Sequence, residues 1–249
     1  MKILLTILTI LTFLNAKTVI ATYKVGFGIF GKIGTAQAIL HIDNNEHYTV
    51  SIEAKATGFA KVLSGGRVEE YKSEGRVVNG VLVPDKYVGI TKTSSKIRKK
   101  LYIFNHKAKK IKMIKITTKD AKTTKSQEYI KYYAVDDILS LFFNIKKYLD
   151  NFKFKGKKIL YAVGANKKDG RVDLIVPTGK SLKDLKSNLG RKDGHFLIVF
   201  INQKIFASKR GELFLDIDNK GFCAKALLKD VILFGDITGE LISLKVKNN

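Results

Sequence analysis

The fold class follows from residues 47–56, which read HYTVSIEAKA. Apolar and polar side chains alternate there, so that Tyr48 and Val50 point to one face while the residues between them point to the other. This period-two alternation is typical of a β-strand with one buried face. A polar turn at 43–46 separates the segment from an apolar segment at 36–42, and the three parts together predict a β-hairpin.

Similar alternation recurs along most of the chain. A second hairpin is predicted from residues 97–105 and 110–117, and lysines on both faces of its second arm indicate an edge strand or a solvent-exposed one. Turn signals such as Asn79-Gly80 separate further strand-like segments. Many short antiparallel strands predict a mainly β fold, in which a curved sheet forms a barrel or half-barrel or two sheets form a sandwich.

One segment departs from this alternation. Residues 137–149 carry apolar side chains at helical spacing, at positions 138, 141, 142, 145, 148 and 149. Asp136 or Asp137 can cap the N-terminus of such a helix, and capping is a simpler role for this pair than acid–base chemistry. We therefore predict one amphipathic helix that packs on or in the curved sheet.

The first sixteen residues form a distinct segment. Lys2 is followed by an uninterrupted run of Ile, Leu, Thr and Phe at 3–14, and a small residue, Ala16, ends it. This pattern is typical of a secretory signal peptide, and the run is too short to span a bilayer. We predict cleavage after Ala16, with Ala21 as the alternative, and a single β-rich domain over 17–249.

Export narrows the location and the partners. No cysteine follows either predicted cleavage point closely, so we expect a released periplasmic protein and not a lipoprotein. The chain carries 46 Lys and Arg against 22 Asp and Glu, a net charge of +24. Export and the predominance of lysine over arginine argue against nucleic acid as the partner. Two readings stay open: a solvated lysine-rich surface, or attraction to anionic lipid head groups or envelope polymers.

No motif amounts to a catalytic or metal site. The glycines at 26, 28 and 31 match a dinucleotide-binding spacing, but turn and strand residues follow them where a helix N-terminus is required. We interpret them as a turn or bulge. The four histidines lack metal-ligand spacing, and Cys223 fits a small buried hydrophobic residue. We expect no cofactor, no metal and no enzymatic activity, with an envelope hydrolase as the alternative.

The aromatic content suggests a ligand cavity. The chain has 15 Phe and 10 Tyr, and barrels of this size often enclose an apolar ligand. Ordinary core packing is the simpler explanation for most of these residues. If a cavity exists between the sheet and the helix, we predict that Phe59, Leu63, Phe142 and Phe143 form its wall.

Several short motifs occur in a recognisable order. They are Tyr23 with Val25, Gly34 with Ala36, and the segments 54–58 (AKATG), 71–75 (YKSEG), 80–87 (GVLVPDKY), 137–140 (DILS) and 234–241 (FGDITGEL). This order resembles the exported bacterial domain-of-unknown-function family 3108. The resemblance implies a Gram-negative periplasmic protein with a barrel-like fold, similar to lipocalin-type or lipoprotein-carrier half-barrels. It carries over no catalytic residues.

Two functions fit these observations. The first is a periplasmic protein that binds a hydrophobic or lipid-like ligand in a β-barrel cavity, with peripheral contact to an anionic membrane surface as a further possibility. The alternative is an envelope interaction or scaffold protein without a small ligand.

Overall fold

A computed structural model describes residues 16–28, 31–44, 46–56, 66–166, 168–201, 211–231 and 235–248. These residues form fifteen strands and two helices. The strands are β1 (Lys17–Phe27), β2 (Gly31–Ile42), β3 (His47–Ala56), β4 (Val68–Val78), β5 (Val81–Lys92), β6 (Lys96–Asn105), β7 (Lys110–Lys119), β8 (Lys122–Tyr129), β9 (Asp136–Asp137), β10 (Gly156–Val163), β11 (Arg171–Val176), β12 (His195–Ile201), β13 (Glu212–Ile217), β14 (Cys223–Val231) and β15 (Gly235–Asn248). The helices are α1 (Ile138–Tyr148) and α2 (Gly179–Leu189).

All the strands belong to one sheet. Its order is β8-β7-β6-β5-β4-β3-β2-β1-β15-β14-β13-β12-β11-β10-β9. Neighbouring strands are antiparallel except for the short β9, which is parallel to β10. The first and last strands of the chain pair along their length in the middle of the sheet, and β8 and β9 form its two edges. The mainly β prediction is therefore confirmed, with a curved sheet that stays open instead of closing into a full barrel.

The local sequence signals account for the hairpins. Both predicted hairpins are present, as β2–β3 and β6–β7. Between β4 and β5, Asn79 and Gly80 adopt φ values of 53° and 75°, as a two-residue hairpin turn requires. At Gly26 the β1–β2 register shifts, so the glycines considered for nucleotide binding form a bulge and the ends of a hairpin.

Helix α1 lies against strands from both halves of the sheet, and we call the sheet face that contacts it the inner face. Leu141, Ile145 and other residues of α1 pack into a core cluster with β10–β14. Leu139 packs into a second cluster that includes Tyr48 and Tyr87 of the first half. The sheet therefore curves around α1, as expected for a helix packed in a half-barrel.

A second helix covers the opposite, outer face in the second half of the sheet. Leu185 and Leu189 of α2 form a third cluster with Phe196, Phe214 and Leu227 of β12, β13 and β14. Gly190 ends α2 in the left-handed conformation that favours glycine at this position. Helix α2 was not predicted from the sequence. Because of this helix the molecule is asymmetric, and the second half of the sheet has a helix on each face.

Candidate functional site

A network of buried polar side chains begins at the N-terminus of α1. Asp137 accepts hydrogen bonds through Oδ1 from the backbone N–H groups of Leu139 (2.8 Å) and Ser140 (3.0 Å). The Ser140 hydroxyl accepts from the Asp137 N–H at 3.0 Å, which completes a capping box. Asp137 Oδ2 accepts from Ser73 Oγ at 2.5 Å, and Ser73 also bonds to the Tyr48 hydroxyl at 2.8 Å. The cap of α1 is thereby joined to β4 and β3.

The preceding carboxylate, Asp136, joins the same network from the other side. It accepts hydrogen bonds from Asn144 Nδ2 (2.9 Å) and the Tyr148 hydroxyl (2.7 Å). Asn144 in turn binds both backbone groups of Leu82 on β5, accepting from its N–H at 2.8 Å and donating to its C=O at 2.9 Å. One turn of α1 is thus attached to the β5 backbone as a neighbouring strand would be.

Burial sets the protonation of the two carboxyl groups. It raises the pKa of Asp137 to about 7, although the hydrogen bonds from Ser73 and the α1 backbone oppose the rise. Burial also raises the pKa of Asp136, against the hydrogen bonds from Tyr148, Asn144 and Ser140. Asp137 is 0% exposed and Asp136 is 4% exposed. The pair holds α1 in place, and the capping prediction is confirmed for Asp137.

A groove of about 640 Å³ lies on the outer face of the first half of the sheet. It crosses β3, β4, β5 and β6. Strand register places Ser51, Val88 and Ile90 on this face, opposite the buried rows that contain Tyr48 and Tyr87. The floor of the groove is thus partly aliphatic.

The middle of the groove, along β4, carries charged side chains of both signs, which lie between Ser51 of β3 and Val88 and Ile90 of β5. Glu74 lies 2.9 Å from Lys72 and 3.0 Å from Lys86, and hydrogen bonds from these two lysines lower its pKa. Glu70 lies 2.6 Å from Lys92. No histidine or cysteine is among the described residues that line the groove. Aliphatic side chains next to ionised ones suit binding of a molecule that has an apolar part and a charged part.

A family model covers the part of the chain that contains both features. The model named Protein of unknown function (DUF3108) matches residues 22–157. The chain belongs to this family. The matched region runs from β1 through the groove strands and α1 to the start of β10, which agrees with the family named from the sequence motifs.

No curated protein matches this DUF3108 protein. Among solved structures, it is similar to a beta-barrel-like protein of domain of unknown function DUF1849 from Brucella abortus. That similarity has a TM-score of 0.45 and 9% sequence identity, over 95% of this chain and 99% of the other.

The four predicted cavity residues lie in different places of the DUF3108 chain. Phe142 and Phe143 are half-buried on α1, with ring centroids 5.5 Å apart. Phe142 packs against the cluster of the second half and Phe143 against that of the first, and neither lines the groove. Phe59 and Leu63 lie outside the described residues. A ligand wall formed by these four side chains stays a prediction.

The remaining sequence candidates have structural partners. Cys223 is buried in a core cluster, and burial raises the pKa of its thiol to about 12. His106 lies between the Tyr133 hydroxyl and the Pro84 carbonyl, 2.7 Å from each. Within the described ranges, no group of three or more His, Cys, Asp or Glu side chains is arranged to hold a metal ion. Neither of the helices described here is long and apolar enough to cross a membrane.

The groove across β3–β6 was not predicted from the sequence. The alternation correctly predicted that Ser51 and Glu53 point away from the core, but it could not show which residues of other strands share that face. Val88 and Ile90 sit in a segment with apolar residues on both faces, so their direction depends on register with β4. The sequence signal that could have indicated the groove is the presence of aliphatic residues between lysines on the outward face of a strand.

Proposed function

We propose that this DUF3108 protein is an exported binding protein of the bacterial periplasm, and that its ligand is an amphiphile with an apolar chain and a charged head group. The observation that carries the proposal is the groove across β3–β6. Its volume of about 640 Å³ is within the usual range of small-molecule sites, roughly 300–1,000 Å³.

The chemistry of the groove supports an amphiphile over a purely polar ligand. Val88 and Ile90 offer aliphatic surface on the floor, where an apolar chain gains free energy by leaving water. Glu74, Lys72 and Lys86 form an ion-paired cluster next to these aliphatic residues. A charged head group can exchange with one partner of such a pair without leaving a buried charge alone, because these side chains are about half exposed.

The packing of α1 favours the outer groove over the inner face as the site. The inner face is occupied by α1 and by the two core clusters around it. A ligand between the sheet and α1 would have to displace these side chains and the Asn144 contacts with β5. The outer groove needs no such rearrangement.

The start of β1 supports export with cleavage after Ala16. Strand β1 begins at Lys17 and pairs from its first residue with both β2 and β15. Ala21, the alternative cleavage point, is 4% exposed in the middle of that strand. Cleavage there would remove five paired residues from the centre of the sheet.

The proposal predicts that the protein binds lipid-like molecules through the groove. Native mass spectrometry after mild purification should find a bound amphiphile, and the protein should bind a fluorescent fatty acid. Ser51→Trp should weaken binding of this probe by about tenfold or more, because the indole occupies part of the groove in which the ligand would lie. Ser187→Trp is the matched control, since Ser187 is exposed on α2, and it should bind as the wild type does.

A protein that carries no amphiphile and does not bind the fluorescent fatty acid would refute the proposal. The alternative would then be the scaffold function, for which the exposed edge strand β8 offers a contact surface. Equal loss of binding in both tryptophan variants would place the ligand elsewhere.

A further inference from the structure

Strands β6, β7 and β8 form one edge of the sheet, and we call residues 96–129 the cationic wing. The wing holds twelve Lys or Arg and two Asp or Glu, so it carries +10 of the net charge of +24. Lys119 lies 3.8 Å from Asp120, with both side chains exposed. Two carboxylates cannot neutralise twelve cations, so the wing presents a strong positive field to solvent.

The outer face of the wing is also apolar. Its aliphatic side chains are Ile97, Leu101, Ile103, Ile114 and Ile116, and Leu101 lies directly opposite Ile114 across the β6–β7 pair. Ile97 is 45% exposed and Ile103 is 36% exposed. On the edge strand, Tyr129 is 65% exposed. The five aliphatic residues lie on one face of two paired strands, with Lys99 between Ile97 and Leu101, and Tyr129 lies on the same face of β8.

Neither described helix covers this row. Helix α1 packs against the inner face, and α2 packs against the second half of the sheet. None of the five aliphatic residues belongs to the three core clusters of the described chain. A contiguous apolar face that a folded chain leaves uncovered, with polar residues around it, is typical of an interaction surface.

Lysines flank the aliphatic row on the same face. Lys112 pairs with Ile103 across β6 and β7, and Lys125 pairs with Ile116 across β7 and β8. Lys99 belongs to the same outward row of β6. A lysine stem can lie along apolar surface while its ammonium group reaches a more polar layer. The face therefore offers aliphatic groups and cations together, at the spacing of neighbouring strands.

We propose that the outer face of the cationic wing docks on the surface of an anionic phospholipid bilayer. Anionic head groups complement the lysines, and the acyl boundary beneath them accepts the aliphatic row. An anionic polymer would use the charge but leave the aliphatic row in water. The one arginine of the wing, Arg98, lies on the inner face, so this surface lacks the residue best suited to planar phosphate and base recognition.

The test is co-sedimentation of the chain from Lys17 with lipid vesicles. The wild type should bind vesicles of phosphatidylglycerol and phosphatidylcholine, and should not bind phosphatidylcholine alone. Lys112→Glu with Lys125→Glu should weaken binding by about tenfold or more, and Ile114→Ser by several-fold. Lys180→Glu with Lys183→Glu is the matched control, because it changes the net charge equally on the exposed start of α2.

Three outcomes would overturn the proposal. The first is equal weakening by the wing and α2 charge variants, since net charge alone would then drive binding. The second is unchanged binding of Ile114→Ser beside lost binding of the wing charge variant, which would indicate an anionic polymer as the partner. The third is equal binding to neutral vesicles.

Folding and the groove are controlled separately. Circular dichroism melting shows whether each variant is folded, and Lys112→Gln with Lys125→Gln removes the charge without reversing it if the glutamate variant does not fold. Ser51→Trp should keep wild-type vesicle binding, because it leaves the wing unchanged. The groove and the wing share β6 and Lys99, but Ser51 lies at the far side of the groove on β3 and Lys112, Ile114 and Lys125 lie on β7 and β8, so the variants change different residues and the two proposals can fail independently.

Discussion

At the scale of single residues, Asp137 connects three parts of the fold. It caps α1, accepts a hydrogen bond from Ser73 on β4, and lies beside the second buried carboxylate, Asp136. A buried carboxylate is tolerated only where hydrogen bonds replace its water. The pKa of about 7 for Asp137 shows that these bonds do not fully offset burial.

This raised pKa predicts how stability depends on pH. In the unfolded chain an aspartate has a pKa of about 3.9, so between about pH 4 and 7 the native state binds more protons than the unfolded state. The free energy of unfolding should therefore fall as pH rises from about 5 to 7 and level off above that. Asp136, whose pKa is also raised, acts in the same direction.

Asp137→Asn should make the free energy of unfolding fall less steeply as pH rises, because asparagine cannot ionise. Asparagine is as good an N-cap as aspartate, so the cap of α1 is kept. Urea unfolding at pH 5, 6, 7 and 8 measures the effect. Asp184→Asn, on the exposed surface of α2, should keep the wild-type pH profile. Identical profiles for all three proteins would show that Asp137 does not titrate in this range.

At the scale of elements, α1 packs against both halves of the sheet. Its apolar side chains enter one core cluster on each side, and Asn144 pairs with the backbone of Leu82 through two hydrogen bonds. Hydrophobic packing alone would let the helix slide or rotate. Directional bonds to β5 fix its position along the sheet.

Asn144→Ala should therefore lower the free energy of unfolding by about 2–4 kcal/mol. It leaves the Leu82 N–H and C=O buried without partners, and each unsatisfied group costs about 1–3 kcal/mol. Asn188→Ala is the control, since that side chain is exposed on α2 and, among the described residues, donates to the Asp184 carbonyl of its own helix. Chemical denaturation of both variants measures the difference, and equal stability of the two variants would mean that the Asn144 bonds to β5 do not stabilise the fold.

The two helices differ in how strongly the spacing of apolar residues predicts them. Helix α1 interrupts a strand pattern with many large apolar residues, so its spacing was clear. Helix α2 has a short apolar stripe, Leu182, Leu185 and Leu189, among lysines and other polar residues. That spacing was present in the sequence, but three leucines in eleven residues gave a weak signal, and only packing against Phe196 and Phe214 makes it a stable element.

At the scale of the whole molecule, the first and last described strands pair in the centre of the sheet. Strand β1 lies between β2 and β15 and pairs with both over its full length. The long meander of β1–β8 and that of β10–β15 are joined in one sheet through this strand. The N-terminal residues of β1 are therefore part of the framework.

This position predicts where the mature chain begins after the export that we propose. N-terminal sequencing of the protein recovered from a periplasmic fraction should find Lys17. A chain that starts at Thr22 should be less stable than one that starts at Lys17 by about 3 kcal/mol or more, because it loses the buried Val19 and Ala21 with their ladder pairs. A start at Thr22 with unchanged thermal stability would contradict both parts of the prediction.

The molecule is asymmetric about this central strand. The second half of the sheet is covered by α1 inside and α2 outside, whereas the described part of the first half has a helix on its inner face only. The groove and the cationic wing both lie on that uncovered outer face. The surfaces that we propose for binding are therefore on the side that the fold leaves open.

The sequence by itself determined most of the strands, the two hairpins and the start of α1, because each depends on residues close together in the chain, and the order of short motifs along the chain determined the family. Period-two alternation, an Asn-Gly turn and an aspartate before an apolar helix act locally. The tertiary structure decided the pairing of β1 with β15, the Asn144 contact with β5, and the faces that Val88 and Leu101 share with their neighbours. Those features depend on register and on how the sheet curves around α1, and contacts between residues that are far apart in the chain set both.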